Sequence, residues 1–231
     1  SAFKLALRYY EPLQLLLVAD VFSILSLGLV LACTGRLGAV RAMARADVRR
    51  AALLGVVNPF LYYMVLFAAY DLLPAQEAQP LNYTWAITLT LLSIPLLKQR
   101  VSLRDMAAIL VSYAGVVVIS TRGDLLGLHF SDPLGVGLAL GSTVLWALYW
   151  IGNARFTGDP VAGLLLNFCF GLPLIAVACA LGPGLPPLDW RGLAGSAYVG
   201  VFEMGVTFVL WLTALKLSAS SAKVANLIFL S

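Results

Sequence analysis

Long apolar runs, each about as long as a membrane-crossing helix, divide the sequence. A helix needs roughly 20 consecutive apolar residues to cross the hydrocarbon core of a bilayer. Because both ends stop within apolar sequence, without a polar tail, we expect the chain to be a piece of a longer protein. The pattern predicts seven complete spans at 12–33, 51–73, 76–97, 105–121, 133–154, 160–182 and 192–215, and parts of two more at 1–10 and 218–231.

The composition agrees with a bilayer as the solvent. The 231 residues are 61% hydrophobic and only 11% charged, with a mean hydropathy of +0.93. Soluble domains are usually about 45–50% apolar and about 25% charged. A single soluble core of this size could not bury so much apolar surface, so the sequence predicts an all-α membrane protein in contact with a lipid bilayer.

Basic residues concentrate at alternate ends of the predicted spans. Eleven of the fifteen Lys and Arg residues fall on one set of ends, mainly in the loops 34–50 and 98–105. Because Lys and Arg are enriched in cytoplasmic loops, this set is predicted to be cytoplasmic and the protein a multi-pass protein of the inner membrane. Clustering in short loops also argues against a nucleic-acid partner. The four basic residues on the other set of ends are Lys4, Arg8, Arg122 and Arg191.

Two pairs of similar strings indicate an internal repeat. The string YYEPLQLLL at 9–17 resembles TGDPVAGLL at 157–165, and in both an acidic residue and a proline precede a span. The string LLGVV at 53–57 resembles AYVGVF at 197–202. Both pairs give a period of about 145 residues, which holds about five spans. An odd number of spans inverts the second copy in the membrane, as in many secondary transporters.

Three longer strings carry a resemblance to a known family. They are PLLKQRVSLRDMAAILVSYAGVVVIS at 95–120, GSTVLWALYWIGNARFTGDP at 141–160 and GVTFVLWLTALKLSASSAKVANL at 205–227. They resemble the fifth helix with its preceding basic loop, the sixth helix and the eighth helix of the EamA-type exporters in the drug/metabolite transporter (DMT) superfamily. The string Asn82-Tyr83-Thr84-Trp85 resembles the fourth helix of the aromatic amino-acid exporter branch, the YddG-type exporters.

This resemblance implies a ten-helix fold of two inverted five-helix repeats. The first repeat would occupy 1–121 with an incomplete first helix. The second would occupy 133–231, with an incomplete ninth helix and no tenth. The sequence departs from the family pattern at three positions: Gln99 replaces the usual Glu, Ala86 stands where this branch tends to have Pro, and Asp20 stands where the superfamily often has Arg.

Polar side chains recur at helical spacing inside two spans that the repeat relates. Polar groups are costly in lipid, so they are expected to face the bundle interior, where water or a substrate can contact them. Asn58 and Tyr62 lie four residues apart, and Pro59 between them predicts a kink. Glu203 and Thr207 are also four apart, and an offset of about 145 residues carries Asn58 to Glu203 and Tyr62 to Thr207.

Two further spans present polar and aromatic faces. Glu77 and Trp85 lie on one four-residue ladder of the span 76–97, and Trp146 and Trp150 are four apart in 133–154. Four faces of this kind would line a cavity near the bilayer midplane. The residues predicted to bind substrate are Asn58, Tyr62, Glu77, Asn82, Tyr83, Trp85, Trp146, Trp150, Glu203 and Thr207.

Each of these positions has a structural alternative. Trp and Tyr also anchor helices at the membrane interface, and Asn82 could serve only to hydrogen-bond a neighbouring helix. Glu203 could pair with Lys4, or could bind the substrate ammonium group, or could carry a coupling proton. The GxxxG pair Gly137 and Gly141 predicts close packing of the span 133–154 against another helix.

A surface of amide, hydroxyl and aromatic groups suits a zwitterion with an apolar or aromatic side chain. The sequence therefore predicts a secondary transporter that exports neutral and aromatic amino acids, with broad specificity, by alternating access through a central cavity. The alternative within transport is efflux of another metabolite or of a cationic drug, which the same rings and Glu203 could hold. A membrane scaffold that transports nothing is a third possibility, against which the polar faces argue.

Catalysis is not predicted. Intramembrane proteolysis would need a Ser/His pair or two aspartates with a GxGD string, whereas the single histidine, His129, falls in a loop and neither GxGD nor GxSG occurs. Cys33, Cys169 and Cys179 lack metal-ligand spacing and read as small apolar fillers. We expect no metal, no cofactor and small-molecule substrates, and the sequence leaves the oligomeric state open.

Overall fold

The computed structural model describes residues 5–120, 132–218 and 220–225, and every regular element within these ranges is helical. Lys4, Arg122 and His129 lie outside the described residues. The helices are α1 (Pro12–Cys33), α2 (Leu37–Arg41), α3 (Arg45–Gly55), α4 (Tyr62–Leu72), α5 (Ala75–Tyr83), α6 (Trp85–Leu97), α7 (Leu103–Ser120), α8 (Pro133–Ala154), α9 (Pro160–Leu181), α10 (Trp190–Tyr198), α11 (Thr207–Leu217) and α12 (Ser221–Ala225). A kinked segment (Val56–Leu61) joins α3 to α4, and a π-helical segment, π2 (Val199–Val206), joins α10 to α11.

Six stretches of helix are long and apolar enough to cross a membrane, and each overlaps a predicted span. They are Pro12–Cys33, Arg45–Leu72, Gln76–Leu97, Pro133–Ala154, Pro160–Leu181 and Trp190–Leu217. The predicted span at 105–121 forms α7, whose 18 residues are fewer than the 22 to 28 of the six. The all-helical membrane fold is confirmed, whereas the ten-helix count stays a prediction.

Aspartate side chains fix the starts of three helices. Asp132 accepts a hydrogen bond from the backbone N–H of Gly135 at 2.8 Å, and Asp159 accepts two from the first turn of α9 at 2.9 and 3.1 Å. Asp189 caps α10 in the same way. The first backbone N–H groups of a helix have no partner within the helix, so such caps set where it begins.

The described residues form two compact units. The first unit comprises Ser1–Phe60 and Phe156–Thr213, and the second comprises Leu61–Arg155 and Ala214–Ser231. Each unit combines parts of both predicted repeats. The assignment of the repeats to 1–121 and 133–231 stays a prediction.

In the first unit, α1 packs against α9, α10 and π2, and α3 packs against α9. Glycines allow these backbones to touch. A Cβ at Gly200 would collide with the carbonyl oxygen of Ala19 on α1, and one at Gly171 would lie 2.6 Å from Cδ of Pro59. The helices of this unit therefore approach to a separation that only glycine permits at these points.

In the second unit, α8 is the central helix, and α4, α5 and α6 all pack against it. A buried apolar cluster joins α4, α5 and α8. Gly135 lies against Leu72 and Leu73, so the start of α8 is closely packed as well. The members of the cluster are Ala69, Leu73, Ala78, Leu81 and Ala139.

The packing predicted for Gly137 and Gly141 is wrong for the described residues. No described atom outside the helix lies within 4 Å of a Cβ built at either position. The contact face of α8 runs instead through Gly135, Ala139 and Thr143, which follow one another at intervals of four. Two residues further along an α-helix, the side chains point to the opposite side, and that is where Gly137 and Gly141 lie.

Candidate functional site

Five aromatic side chains of the second unit form a continuous group, which we name the aromatic cluster. Trp146 is its centre, with its ring centroid 4.6 Å from that of Tyr62, 5.6 Å from that of Trp150 and 6.3 Å from that of Trp85. Tyr149 completes the group at 5.2 Å from Trp150. These separations are those at which aromatic pairs attract one another. The structure thus brings together four residues of the predicted site.

Three helices position these rings. Trp146, Tyr149 and Trp150 share one face of α8 by their spacing of three and four residues. Tyr62 is the first residue of α4, and Trp85 is the first residue of α6. One turn into α6, the hydroxyl oxygens of Thr88 and Thr143 lie 3.1 Å apart, which ties α6 to α8 beside the cluster.

The rings are enclosed by protein. Tyr149 and Trp150 are 0% and 1% exposed, Tyr62 and Trp85 are 6% and 9% exposed, and Trp146 is partly buried. An aromatic anchor at the membrane interface would have one face in lipid or water. The burial of Tyr149 and Trp150 therefore argues against an anchoring role for these two.

Polar groups of α4 and α5 accompany the cluster in the same unit. The side-chain amide of Asn82 donates to the hydroxyl of Tyr70 on α4 at 3.0 Å, so Asn82 does bind a neighbouring helix, as one alternative expected. Its carbonyl oxygen is buried and accepts no hydrogen bond within the described part of the chain. Glu77 is 9% exposed, and Tyr83 is partly buried.

The first unit also buries polar side chains, and we name five of them, all with 0% exposure, the polar core. The hydroxyl of Ser23 is 2.8 Å from the carbonyl oxygen of Ala19 and 2.9 Å from that of Gly200, to which it can donate. The members of the polar core are Asp20, Ser23, Asn58, Asn167 and Ser196.

Asn58 occupies a break in the helical backbone. Its φ of −149° and ψ of 123° are extended values, and the kink predicted at Pro59 is present. The expectation that Asn58 and Tyr62 share one helical face is wrong, because the helix does not continue through the break. The two residues also belong to different units. Both amide atoms of Asn58 are buried without a hydrogen bond within the described residues.

The predicted ladder of Glu203 and Thr207 also changes at an irregular segment. Glu203 lies in π2, where the backbone hydrogen bonds follow a wider turn than in an α-helix, so a spacing of four no longer keeps side chains on one face. Glu203 is partly buried and Thr207 is exposed. π-Helical stretches often occur at functional sites. The repeat offset carries 56–61 to 201–206, so both irregular segments fall at corresponding places.

Five members of the aromatic cluster and the polar core were not among the residues predicted to bind substrate. One is Asp20, which the sequence marked only as a departure from the family pattern. Tyr149 belongs to the aromatic cluster, and its position three residues after Trp146 was a usable signal. Ser23, Asn167 and Ser196 are single small polar residues in apolar runs, which carry little sequence signal. Across the described residues, no three His, Cys, Asp or Glu side chains gather in a way that could hold a metal ion.

Comparisons with known proteins agree on a transporter. The aromatic amino acid exporter YddG of Ancylobacter novellus is 27% identical over 160 residues, which are 68% of this chain and 55% of that protein. An uncharacterized transporter in the sor 3'region of Acidianus ambivalens is 28% identical over 159 residues, 65% of this chain and 58% of that protein. The matched part is therefore little more than half the length of these relatives.

A solved crystal structure has the same fold, with a TM-score of 0.75 and 22% identity over 99% of this chain and 78% of that one. The model of the EamA-like transporter family matches residues 1–121 and 133–231. The six membrane-length helices and the arrangement of buried polar and aromatic groups are those of a multi-pass membrane protein. The chain belongs to the EamA-like transporter family.

Proposed function

We propose that the protein exports neutral and aromatic amino acids from the cytoplasm across the inner membrane by alternating access. The observation that carries the proposal is the aromatic cluster, in which Tyr62, Trp85 and Trp146 have adjacent rings. Such rings offer apolar faces with polar O–H and N–H groups at their edges, which match the side chains of Phe, Tyr and Trp. The likeness to an exporter of aromatic amino acids supports the same class of substrate.

The other predicted site residues supply the polar part of the proposal. A free amino acid needs groups for its carboxylate and its ammonium as well as for its side chain. In the second unit, which holds the aromatic cluster, these are Asn82, Tyr83 and Glu77. In our proposal the carboxylate of Glu77 binds the ammonium group, and the amide of Asn82 binds the carboxylate. The residues predicted in the first unit, Asn58, Glu203 and Thr207, stay predictions.

Counterflow in proteoliposomes tests the proposal. The full-length protein is reconstituted with unlabelled amino acid inside, and uptake of labelled Phe, Trp, Leu and Lys is followed. We expect Phe, Trp and Leu to exchange and Lys to exchange poorly. Trp85→Ala and Trp146→Ala should slow exchange at least tenfold while the protein still elutes as a monodisperse species.

Trp190→Ala is the matched control, because Trp190 is 73% exposed and lies outside the aromatic cluster. It removes an indole of the same size and should leave the exchange rate unchanged. Wild-type exchange by both Trp85→Ala and Trp146→Ala would contradict the proposed role of the cluster. Absence of exchange by the wild-type protein for every amino acid would contradict the substrate class.

Efflux of organic cations is the second candidate, and one observation favours it. Glu77 is a buried acid in the unit that holds the aromatic cluster, and aromatic rings attract a bound cation. Tetraphenylphosphonium serves as the probe. Saturable transport of this cation, together with failure of all amino acids to exchange, would favour this function over the first.

The proposed direction of transport requires loops 34–50 and 98–105 to be cytoplasmic. Within the first unit, Arg36 pairs with Asp159 at 2.9 Å, which supports placing loop 34–50 on the same side as the start of α9. A cysteine-free protein carrying Arg45→Cys should resist a membrane-impermeant maleimide in intact cells. Leu188→Cys, at a fully exposed position in the loop before α10, is the control and should be labelled. The reverse result would overturn the orientation.

A further inference from the structure

Asp20 lies within the apolar helix α1 and is the most deeply enclosed acid among the described residues. Its exposure is 0%, and neither carboxyl oxygen accepts a hydrogen bond within the described part of the chain. The helix around it contains no other charged residue. A buried polar group without a partner is rare in native structures and calls for a functional reason.

The packing around this part of α1 is tight. The neighbouring residue Ala19 has its carbonyl oxygen against Gly200 of π2, and the hydroxyl of Ser23 reaches the carbonyl oxygen of Gly200 at 2.9 Å. On the side of α9, the thiol of Cys169 lies close enough to Asp20 for the two groups to interact electrostatically. Asp20 of α1 is therefore enclosed by the packing of α1 against α9 and π2, away from water.

The helices that pack against α1 bring no described cation to Asp20. From α9 the only titratable groups are two cysteines, Cys169 and Cys179. Segment π2 carries Glu203, a second acid that is partly buried. The basic residue of α10, Arg191, is exposed and lies at the start of that helix, and the basic residue of α2, Arg41, is exposed. No described Lys or Arg forms an ion pair with Asp20.

An ionised carboxylate in this environment would be strongly unfavourable. Transfer of a carboxylate out of water costs several kcal/mol even after the protein relaxes, and here no ion pair or hydrogen bond offsets that cost. The enclosed arrangement is therefore compatible with the neutral acid, which needs one proton on a carboxyl oxygen. Opening of the contact between α1 and π2 would admit water and remove the penalty on the charged form.

We propose that Asp20 is the proton-carrying site of the transport cycle. It takes one proton onto a carboxyl oxygen from water on one side, keeps it while enclosed between α1, α9 and π2, and gives the same proton to water on the other side. This inference rests on the proposed export function, since only a transport cycle exposes the site to both sides in turn. It assigns proton coupling to Asp20 rather than to Glu203.

The first test does not require transport. Infrared difference spectra of the full-length protein are recorded between acidic and alkaline buffer. We expect a carboxylic-acid C=O band at the high frequency typical of an acid without hydrogen bonds, shifted in D₂O. Asp20→Asn should abolish this band. Asp71→Asn, at an exposed acid near the end of α4, is the matched control and should keep it.

The second test separates coupling from substrate binding. In proteoliposomes, Asp20→Asn should keep counterflow within twofold of the wild type, whereas its pH-gradient-driven transport should fall to the rate without a gradient. Asp20→Glu keeps an ionisable acid and should retain part of the pH response. If neither variant accumulates as folded protein, the D₂O shift of the band in wild-type protein carrying isotope-labelled aspartate decides the first test.

Each possible result either supports the proposal or overturns it. A band that survives Asp20→Asn, or an unchanged pH response in this variant, would overturn the proposal. A sodium gradient that drives transport in place of a pH gradient, with no Asp20 band, would also overturn it, in favour of a metal cation at the same carboxylate. If the wild type shows no amino-acid exchange but the band depends on Asp20, the export function fails and the protonation site stands.

Discussion

The first and second units of this chain pack their helices in different ways. In the first, glycines such as Gly200 and Gly171 let backbones approach closely. In the second, Trp and Tyr side chains separate α4, α6 and α8 and fill the space between them. Within lipid, helices gain no hydrophobic free energy by associating, so both modes depend on close contact and on hydrogen bonds.

The comparison indicates how each unit should tolerate change. A ring can tilt or move when a neighbour shifts, whereas a backbone contact through glycine has no side chain to adjust. The first unit should therefore be intolerant of added atoms, and the second should be intolerant of removed ones. The four predictions below test this contrast, from the largest expected effect to the smallest.

The largest loss of stability is expected for Trp150→Ala in the second unit. Trp150 is 1% exposed and contacts the rings of Trp146 and Tyr149, so its removal leaves a cavity. Trp→Ala changes in cores cost about 3–5 kcal/mol. Unfolding in bicelles measures this difference. Trp190→Ala, the exposed control, should change the free energy of unfolding by less than about 0.5 kcal/mol. Equal losses of unfolding free energy in the two variants would show that a Trp in the cluster stabilises the fold no more than an exposed Trp.

Adding one methyl group should damage the first unit nearly as much. Gly200→Ala places a Cβ against the carbonyl oxygen of Ala19, so α1 and π2 must separate. Overpacking of this kind typically costs about 1–3 kcal/mol. Gly28→Ala is the control on α1, because no described atom beyond the adjoining backbone of its own helix lies within 4 Å of its Cβ. It should be neutral or gain up to about 1 kcal/mol from helix propensity. A Gly200→Ala protein as stable as the wild type would show that the contact is adjustable.

Hydrogen bonds in the first unit should contribute less than its backbone contacts. Ser23→Ala removes the hydroxyl that reaches Gly200 on π2, and the expected loss is about 1 kcal/mol. Among the described residues, the hydroxyl of Ser26 bonds within its own helix, to the carbonyl oxygen of Ser23 at 3.0 Å, so Ser26→Ala should have little effect. Thermal midpoints of the two variants in the same detergent make the comparison. A larger shift for Ser26→Ala would reverse the expected order.

The smallest effect is expected for the hydroxyl pair of the second unit. Thr88 and Thr143 join α6 to α8 with oxygens 3.1 Å apart. Interhelical hydrogen bonds in membrane proteins contribute about 0.6 kcal/mol on average. A double-mutant cycle with Thr88→Val and Thr143→Val measures the coupling directly. A coupling energy larger than the loss of unfolding free energy in Trp150→Ala would mean that this unit is stabilised by hydrogen bonds more than by ring contacts.

The sequence was sufficient to predict six membrane-length helices and the convergence of the aromatic rings. A bilayer demands a fixed length of apolar helix, so run length locates the spans, and spacings of three and four residues put Trp146 and Trp150 on one face of α8. It was not sufficient where the backbone leaves the regular helix. The extended Asn58 and the π-helical segment around Glu203 change which side chains share a face. A spacing of four residues identifies a shared face only where the α-helix is regular.

The choice among glycines was equally inaccessible to sequence. Gly137 and Gly141 have the spacing that predicts packing, yet Gly200 and Gly171, which lie in no such motif, make the contacts. A glycine in the sequence shows that another backbone could approach closely, but it does not show which helix does so. The polar core was missed for a related reason, since a single Ser or Asn in an apolar run looks the same whether it faces lipid or a neighbouring backbone.

The aromatic cluster also gives this protein an intrinsic optical reporter. The cluster holds three of the protein's five tryptophans: the ring centroids of Trp85 and Trp150 lie 6.3 and 5.6 Å from that of Trp146. Trp190, in contrast, is exposed at the start of α10. Indoles at such separations exchange excitation energy, so their emission is depolarised. Because Trp85 and Trp150 are buried whereas Trp190 is exposed, the emission of the cluster is also blue relative to that of Trp190. Any molecule that enters between the rings changes both properties at once, and occupancy can be followed without a label while the protein works in a membrane.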